Sequence, residues 1–456
     1  QYLLDLKQWY PPLFPGLLVA LGAGRRARTL ESAVMGTLEL ARIALLLAVV
    51  AGLVGSDVAA VGAAGLAYAV SPVLALYNVQ MNPRALGALL LDTGLVAAFW
   101  ASSGGPAWAW AVAIVAGALV LLSHKMATQL LVFLWLIAVG ATRDPLLAGL
   151  MPAAVVLAWV GSGGFYARVL RAHGDIVAFW CRNWPWLHAD PVRESSIYGE
   201  PGYITPARLH YPGMKGVAAH LRRLVAAAPG TWVIAGLCVA SFAASGSRAE
   251  RAVEVWLICS LLWAVLTTFG GPLRALGAGS LYLYNAAFPA ALLWGLRIHG
   301  ARWWWPVAWG AAVALDGAAL ALRLRALGAR RPNDEDGWET LLAFLRGATH
   351  GPVLCLPQNL YDELSYRTGQ PVLFGGHGFG FRCLEPVYPR LALSVADMRT
   401  RYGLAYVVAR SAAINDALAA DLASAEMRMF GDFRVWTLPR PEREVESGSQ
   451  AAPQRS

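Results

Sequence analysis

Long apolar blocks dominate this chain. Between residues 34 and 322 they recur ten times, at roughly 34–55, 58–77, 86–102, 106–123, 126–142, 145–166, 230–246, 252–269, 279–298 and 303–322. Many approach the ~20 residues needed to cross the hydrocarbon of a bilayer as a helix. Inside hydrocarbon every backbone N–H and C=O must be satisfied within the segment, so such blocks fold as helices. Of the 456 residues, 57% are hydrophobic and only 14% are charged, against about 25% charged in a soluble domain. A soluble enzyme, a disordered chain and a nucleic-acid-binding module are thereby excluded. The expected fold is an α-helical polytopic membrane protein of about ten transmembrane helices plus interfacial helices, with a small C-terminal soluble α/β domain.

The net charge of +9 sits in the membrane part. From residue 328 onward 14 Arg face 15 Asp and Glu, whereas residues 1–327 hold 23 basic and 13 acidic groups. Basic side chains beside spans suit anionic headgroups or a lipid phosphate rather than DNA. The five cysteines form no CxxC or His/Cys metal spacing. Cys355 and Cys383 remain open as a pair or as free thiols.

Three divisions follow: a transmembrane part over 1–327, a soluble α/β domain over 328–440 and a disordered tail over 441–456. Residues 1–22 carry three prolines and too short an apolar run to span, which predicts an interfacial or re-entrant segment. The long loop 167–229 contains two amphipathic stretches, 168–184 and 214–227, expected to lie in the interface plane. In the soluble part, strands are expected at 353–357, 371–375, 405–409 and 433–438, and helices at 338–347, 395–402 and 412–425. Short-loop basic residues divide almost evenly. Arg143, Arg248, Arg251, Arg297 and Arg302 fall on one face, and Arg25, Arg26, Arg28, Arg84, Lys125 and Arg274 on the other. This tie does not choose an orientation. An external face rich in basic residues is explained if a lipid-linked phosphate binds there.

Four stretches carry chemical interest. They are Tyr10-Pro11-Pro12-Leu13-Phe14-Pro15; Ser71-Pro72 with Asn82-Pro83-Arg84-Ala85-Leu86-Gly87; Ser123-His124-Lys125-Met126-Ala127-Thr128-Gln129; and Leu281-Tyr282-Leu283-Tyr284-Asn285 with Pro289. In order and spacing they resemble the GT-C glycosyltransferases, polytopic enzymes that take sugars from polyprenyl-phosphate donors. The resemblance covers most of residues 1–325. It implies a multi-pass protein of the bacterial inner membrane, with the long loop and soluble domain on the external, periplasmic side. Its partners would be a polyprenyl-phosphate-linked sugar donor, membrane lipids, and a glycan, lipid or protein acceptor, with no nucleic acid. It also implies that a first span and a first external loop, normally carrying the catalytic Asp or Asp-Glu, lie upstream of Gln1. Asp5 is the sole acid before the YPP segment. Leu281 stands where the family often has Arg, and Arg274 is the nearest base.

Glycosyl transfer from a lipid phosphate must stabilise a leaving phosphate, which Lys or Arg at the membrane surface does by charge and hydrogen bonds. The candidates are Lys125, His124, Arg84 and Arg274. A carboxylate must activate the acceptor hydroxyl or hold a divalent metal ion; no cofactor site is legible and a metal stays open. Weak carboxylate candidates are Asp5 and Asp92, the latter two helical turns after Arg84. Of the other intramembrane acids, Asp316 is expected to pair with a neighbouring span or to line a wet cavity. Tyr10, Trp180, Arg182, Tyr284 and His377 are candidate substrate contacts, with an aromatic belt the competing reading for the tyrosines and tryptophans. The loop Gly375–Gly380 around His377 lacks the Lys-Ser/Thr of a P-loop. Two other classes remain open, an O-antigen-type polymerase or ligase and a transporter or flippase with a soluble appendage.

Overall fold

The computed structural model describes residues 10–78, 81–183, 213–241, 247–299, 303–329, 335–356, 360–373, 393–414 and 416–439. Among the described residues the apolar blocks are mostly helical. A short α1 (Leu13–Ala20) leads into α2 (Ala23–Val54), followed by α3 (Val58–Ala69) and α4 (Pro72–Tyr77). The predicted span 58–77 is thus broken. Pro72 lacks an N–H and disfavours helix in the residue before it, and Ser71 is extended at φ −62°, ψ 117°. Next come α5 (Arg84–Ser102), α6 (Trp108–Leu121), α7 (Lys125–Thr142) and α8 (Pro145–Gly161). The series ends with α9 (Phe165–Asn183), α10 (Met214–Ala227), α11 (Pro229–Ser241), α12 (Arg248–Phe269), α13 (Gly279–Ile298) and α14 (Trp304–Ala329).

Among the described residues five helical stretches are long and apolar enough to cross a membrane: Leu30–Val54, Arg84–Ser102, Lys125–Thr142, Arg248–Phe269 and Trp304–Ala326. The amphipathic α9 and α10 turn by 116° from α8 and by 95° from α11, and counting each bent pair as one span gives up to seven. The remaining apolar helices are shorter or, like α13, are sheathed by other helices. Helix α13 is buried along nearly its whole length. Gly279 lets it approach α12: a Cβ there would lie 1.9 Å from the Ala264 carbonyl oxygen. Small residues at helix crossings are how apolar helices pack closely in lipid.

A buried polar network holds α2, α5 and α13 together. Arg42 and Asp92 are fully buried, with Nε donating to Oδ2 at 2.5 Å. A second guanidinium nitrogen donates to the Tyr284 carbonyl at 3.3 Å. The guanidinium also lies over the rings of Tyr284 (5.0 Å) and Tyr68 (5.6 Å). Asp92 is therefore occupied as the counter-ion of Arg42 and is not a free base, which corrects its candidacy.

Loops sort to two ends. At one end Leu13 N–H bonds the Leu122 carbonyl (3.0 Å) and Arg323 donates to the Ala226 carbonyl (2.8 Å); Arg323 and Arg84 both lie near Tyr77, and Tyr10 lies near Arg84. At the other, His299 bonds Asp57 at 2.8 Å, and Arg297 bridges Glu250 and Glu254.

The C-terminal part is a four-stranded sheet of order β1-β2-β4-β3. Strand β1 (Val353–Leu356) runs parallel to β2 (Tyr406–Arg410); β4 (Phe433–Thr437) is antiparallel to β2 and to β3 (Glu426–Phe430). Helices α15 (Glu335–Gly347), α16 (Tyr361–Thr368), α17 (Val395–Tyr402) and α18 (Asp416–Asp421) accompany it. The expected strand at 371–375 reduces, among its described residues, to a bridge of Val372 to Val353. The expected helix 412–425 contracts to α18, and β3 was not foreseen because its residues EMRMF are exposed along an edge and show no buried alternation. Cys355 is a free, buried thiol in β1, while Cys383 and the tail 441–456 lie outside the described residues.

Replacing Arg42 or Asp92 alone by Ala should destabilise the detergent-solubilised protein by about 3–5 kcal/mol, because each leaves a buried charge uncompensated. The double Arg42→Leu, Asp92→Leu variant should recover most of that loss in equilibrium unfolding.

Candidate functional site

The end of the bundle nearest the soluble part gathers most of the predicted residues. The loop before α5 is fixed locally. The Asn82 side-chain amide donates to the Tyr77 carbonyl at 2.8 Å, and the Asn82 carboxamide oxygen accepts from Arg84 N–H at 2.9 Å. Met81 N–H donates to the Glu31 carboxylate of α2 at 2.7 Å. Arg84 therefore begins α5 in a defined position, with its guanidinium over the Tyr77 ring at 4.5 Å.

Gly87, one turn along α5, determines how near α7 begins. A Cβ at that position would meet His124 Cβ at 2.9 Å and Ala127 Cβ at 3.2 Å. The close approach brings Lys125, the first residue of α7, near enough to Arg84 for their charges to repel. Neither cation has a carboxylate partner among the described residues. His124 is buried at the start of α7, against Gly87.

Further contacts stitch this end. His173 of α9 bonds the Gln129 side chain at 3.0 Å. The Tyr282 hydroxyl donates towards Gln129 Oε1 (2.5 Å) and the Leu276 carbonyl (2.9 Å). The latter ends the 3-10 turn Gly271–Leu276 that carries Arg274. Arg274 is half-buried, burial lowers its pKa, and it has no anionic partner among the described residues. Tyr10 lies close enough to Arg84 to feel its charge; burial pushes the phenol up to about 12 and Arg84 offsets part of that rise.

Sequence reasoning missed Glu39. It accepts from the Tyr68 hydroxyl at 2.6 Å and from the Tyr284 hydroxyl, which also lies 3.1 Å from Asn78 Oδ1. The available signal was its place in the predicted span 34–55, where an acid is costly without partners. Tyr284 is thus brought to the site through Glu39 and Asn78. Trp180 is not: it is buried with Phe179, Ile176 and Ala172 in the core of the soluble part, so its ring packs α9 onto that domain and offers no sugar platform. Arg182 is exposed near the end of α9. Asp5 and His377 lie outside the described residues. Among the described residues no three His, Cys, Asp or Glu side chains gather as a metal site would require.

No family model matches the chain, and no curated protein matches it. Among solved structures it is similar to the crystal structure of ArnT from Cupriavidus metallidurans in the apo state. The TM-score is 0.42 at 14% identity, over 96% of this chain and 89% of that one.

Substituting Gly87 by Leu should overpack the α5–α7 crossing and cost about 1–3 kcal/mol, read as a lower thermal midpoint in detergent.

Proposed function

We propose that this chain is an integral-membrane glycosyltransferase of the GT-C type, moving a sugar from a polyprenyl-phosphate donor to a lipid, glycan or protein acceptor. The observation that carries this reading is the pair of repelling cations, Arg84 and Lys125, that no carboxylate neutralises among the described residues. Two other arginines of the helices do have carboxylates, Arg42 with Asp92 and Arg297 with Glu250 and Glu254, while Arg323 bonds only the Ala226 carbonyl. Two converging cations at a span boundary supply what a leaving phosphate needs. Arg274 and the Tyr10 and Tyr284 side chains extend the same end. The amphipathic α9 and α10 suit an interfacial position where a lipid tail enters. The order of the YPP, NPR, SHK and LYLYN stretches supports the same reading. On it, this end of the bundle and the soluble part face the outside of a bacterial inner membrane.

The test is sugar transfer from a radiolabelled polyprenyl-phosphate donor in membrane vesicles. Lys125→Ala and Arg84→Ala should each lower transfer about 10²–10³-fold, the scale of losing one donor to a developing oxyanion, while Lys125→Arg keeps most of it. Unchanged transfer in both alanine variants, with expression and thermal midpoint preserved, overturns the phosphate assignment.

A further inference from the structure

Acids within the apolar helices have partners: Asp92 has Arg42, Glu254 has Arg297, and Glu39 accepts from the Tyr68 and Tyr284 hydroxyls. Asp316, inside the apolar stretch Trp304–Ala326 of α14, has no such side-chain partner among the described residues. Its side chain is 5% exposed, and its hydrogen-bond partner is the Gly230 N–H at the start of α11, which Oδ1 accepts at 2.8 Å. Asp316 borders a small, partly open pocket lined from α3, the α3–α4 break, α11, α13 and α14, with about 10 Å³ open to the centre of a water-sized body. That is room for a single water or ion.

The lining has a polar side and an apolar side. Asp316, Ser71 and Thr231 form the first; Ala67, Ala287 and Ala291 belong to the second. Ser71 sits at the break between α3 and α4, where a serine hydroxyl ordinarily caps the next helix, yet it makes no capping bond. Its Oγ is buried and unpartnered, on a residue 3% exposed. Capping α11 alone would not require a carboxylate, since a neutral Asn or Ser accepts the same N–H without the cost of a charge in hydrocarbon. A carboxylate and a free hydroxyl around a one-atom space, with no basic side chain lining it, form an oxygen-only donor set of net charge −1. Hard oxygen donors select hard cations.

We propose that this cavity binds one small monovalent cation, ligated by the Asp316 carboxylate and the Ser71 hydroxyl. The pocket is not lined by Arg84 or Lys125 and does not rest on the transfer reaction. A bound cation would neutralise Asp316 and fasten α14 to the α3–α4 break and to the start of α11.

The experiment is thermal unfolding of the purified full chain in detergent, in NaCl against choline chloride at equal ionic strength. The expected result is a midpoint that rises with Na⁺ and saturates, because a ligand held by the folded state alone stabilises it by mass action. Asp316→Asn, which keeps an acceptor for Gly230, should abolish the Na⁺ dependence. Ser71→Ala should raise the half-saturating Na⁺ concentration at least about fivefold, the effect of losing one neutral hydrogen-bond-strength contact, and it serves alone if the Asp316 variant does not fold. Equal midpoints in the two salts for the unmodified protein mean a cavity that holds only water, and overturn the proposal. An undiminished Na⁺ response in either variant overturns it as well.

Discussion

A charge placed in hydrocarbon must find a partner, and much of this molecule follows from how it meets that demand. Arg42 and Asp92 lie on helices fifty residues apart in sequence, and each is intolerable at its position without the other. Their pairing fixes α2 against α5, and the bond from Arg42 to the Tyr284 carbonyl adds α13. In water such a pair contributes little net stability. In the bilayer it carries another advantage, since a mispacked helix would expose the charge to lipid and be rejected. The pair therefore specifies register among helices whose remaining contacts, small and apolar, are permissive.

The helices were legible because periodicity and length both reflect the same physical demand, backbone satisfaction in lipid. Their interruptions were legible only where proline stood at them. Pro72 breaks the expected span 58–77 after Ala69, a local effect that sequence shows, but the sheathing of α13 depends on neighbours that sequence does not reveal. Amphipathic α9 was read correctly as a helix and incompletely as a surface. Its apolar face, with Ile176, Phe179 and Trp180, packs into the core of the soluble part. Periodicity identifies an apolar stripe and is silent on what covers it. The edge strand Glu426–Phe430 escaped for the converse reason, since an exposed strand has no buried face to leave a pattern.

The candidate site was half legible. Arg84 and Lys125 announce themselves as charges at the starts of spans, and their sequence context is informative. Their convergence rests on Gly87, whose missing side chain lets His124 and the beginning of α7 come against α5. Glu39 was hidden by its surroundings: one acid in an apolar helix reads as an anomaly until Tyr68 and Tyr284 arrive from elsewhere in the chain to donate to it. Long-range partners of this kind define the site, and they are what a single sequence withholds.

The two ends of the bundle treat charge differently, and the difference bears on function. At one end acids and bases neutralise each other: His299 holds Asp57 below the usual carboxylate range through a hydrogen bond, and Arg297 is shared between Glu250 and Glu254. At the other, Arg84 and Lys125 lie within each other's field with no carboxylate partner among the described residues, and the Arg84 guanidinium lies over the Tyr77 ring. Tyrosine can stabilise a cation without cancelling its charge. On the function proposed above, two like charges held together beside a neutral aromatic ring would attract an anion from outside the protein. The repulsion between them is the free energy that such an anion would relieve on binding.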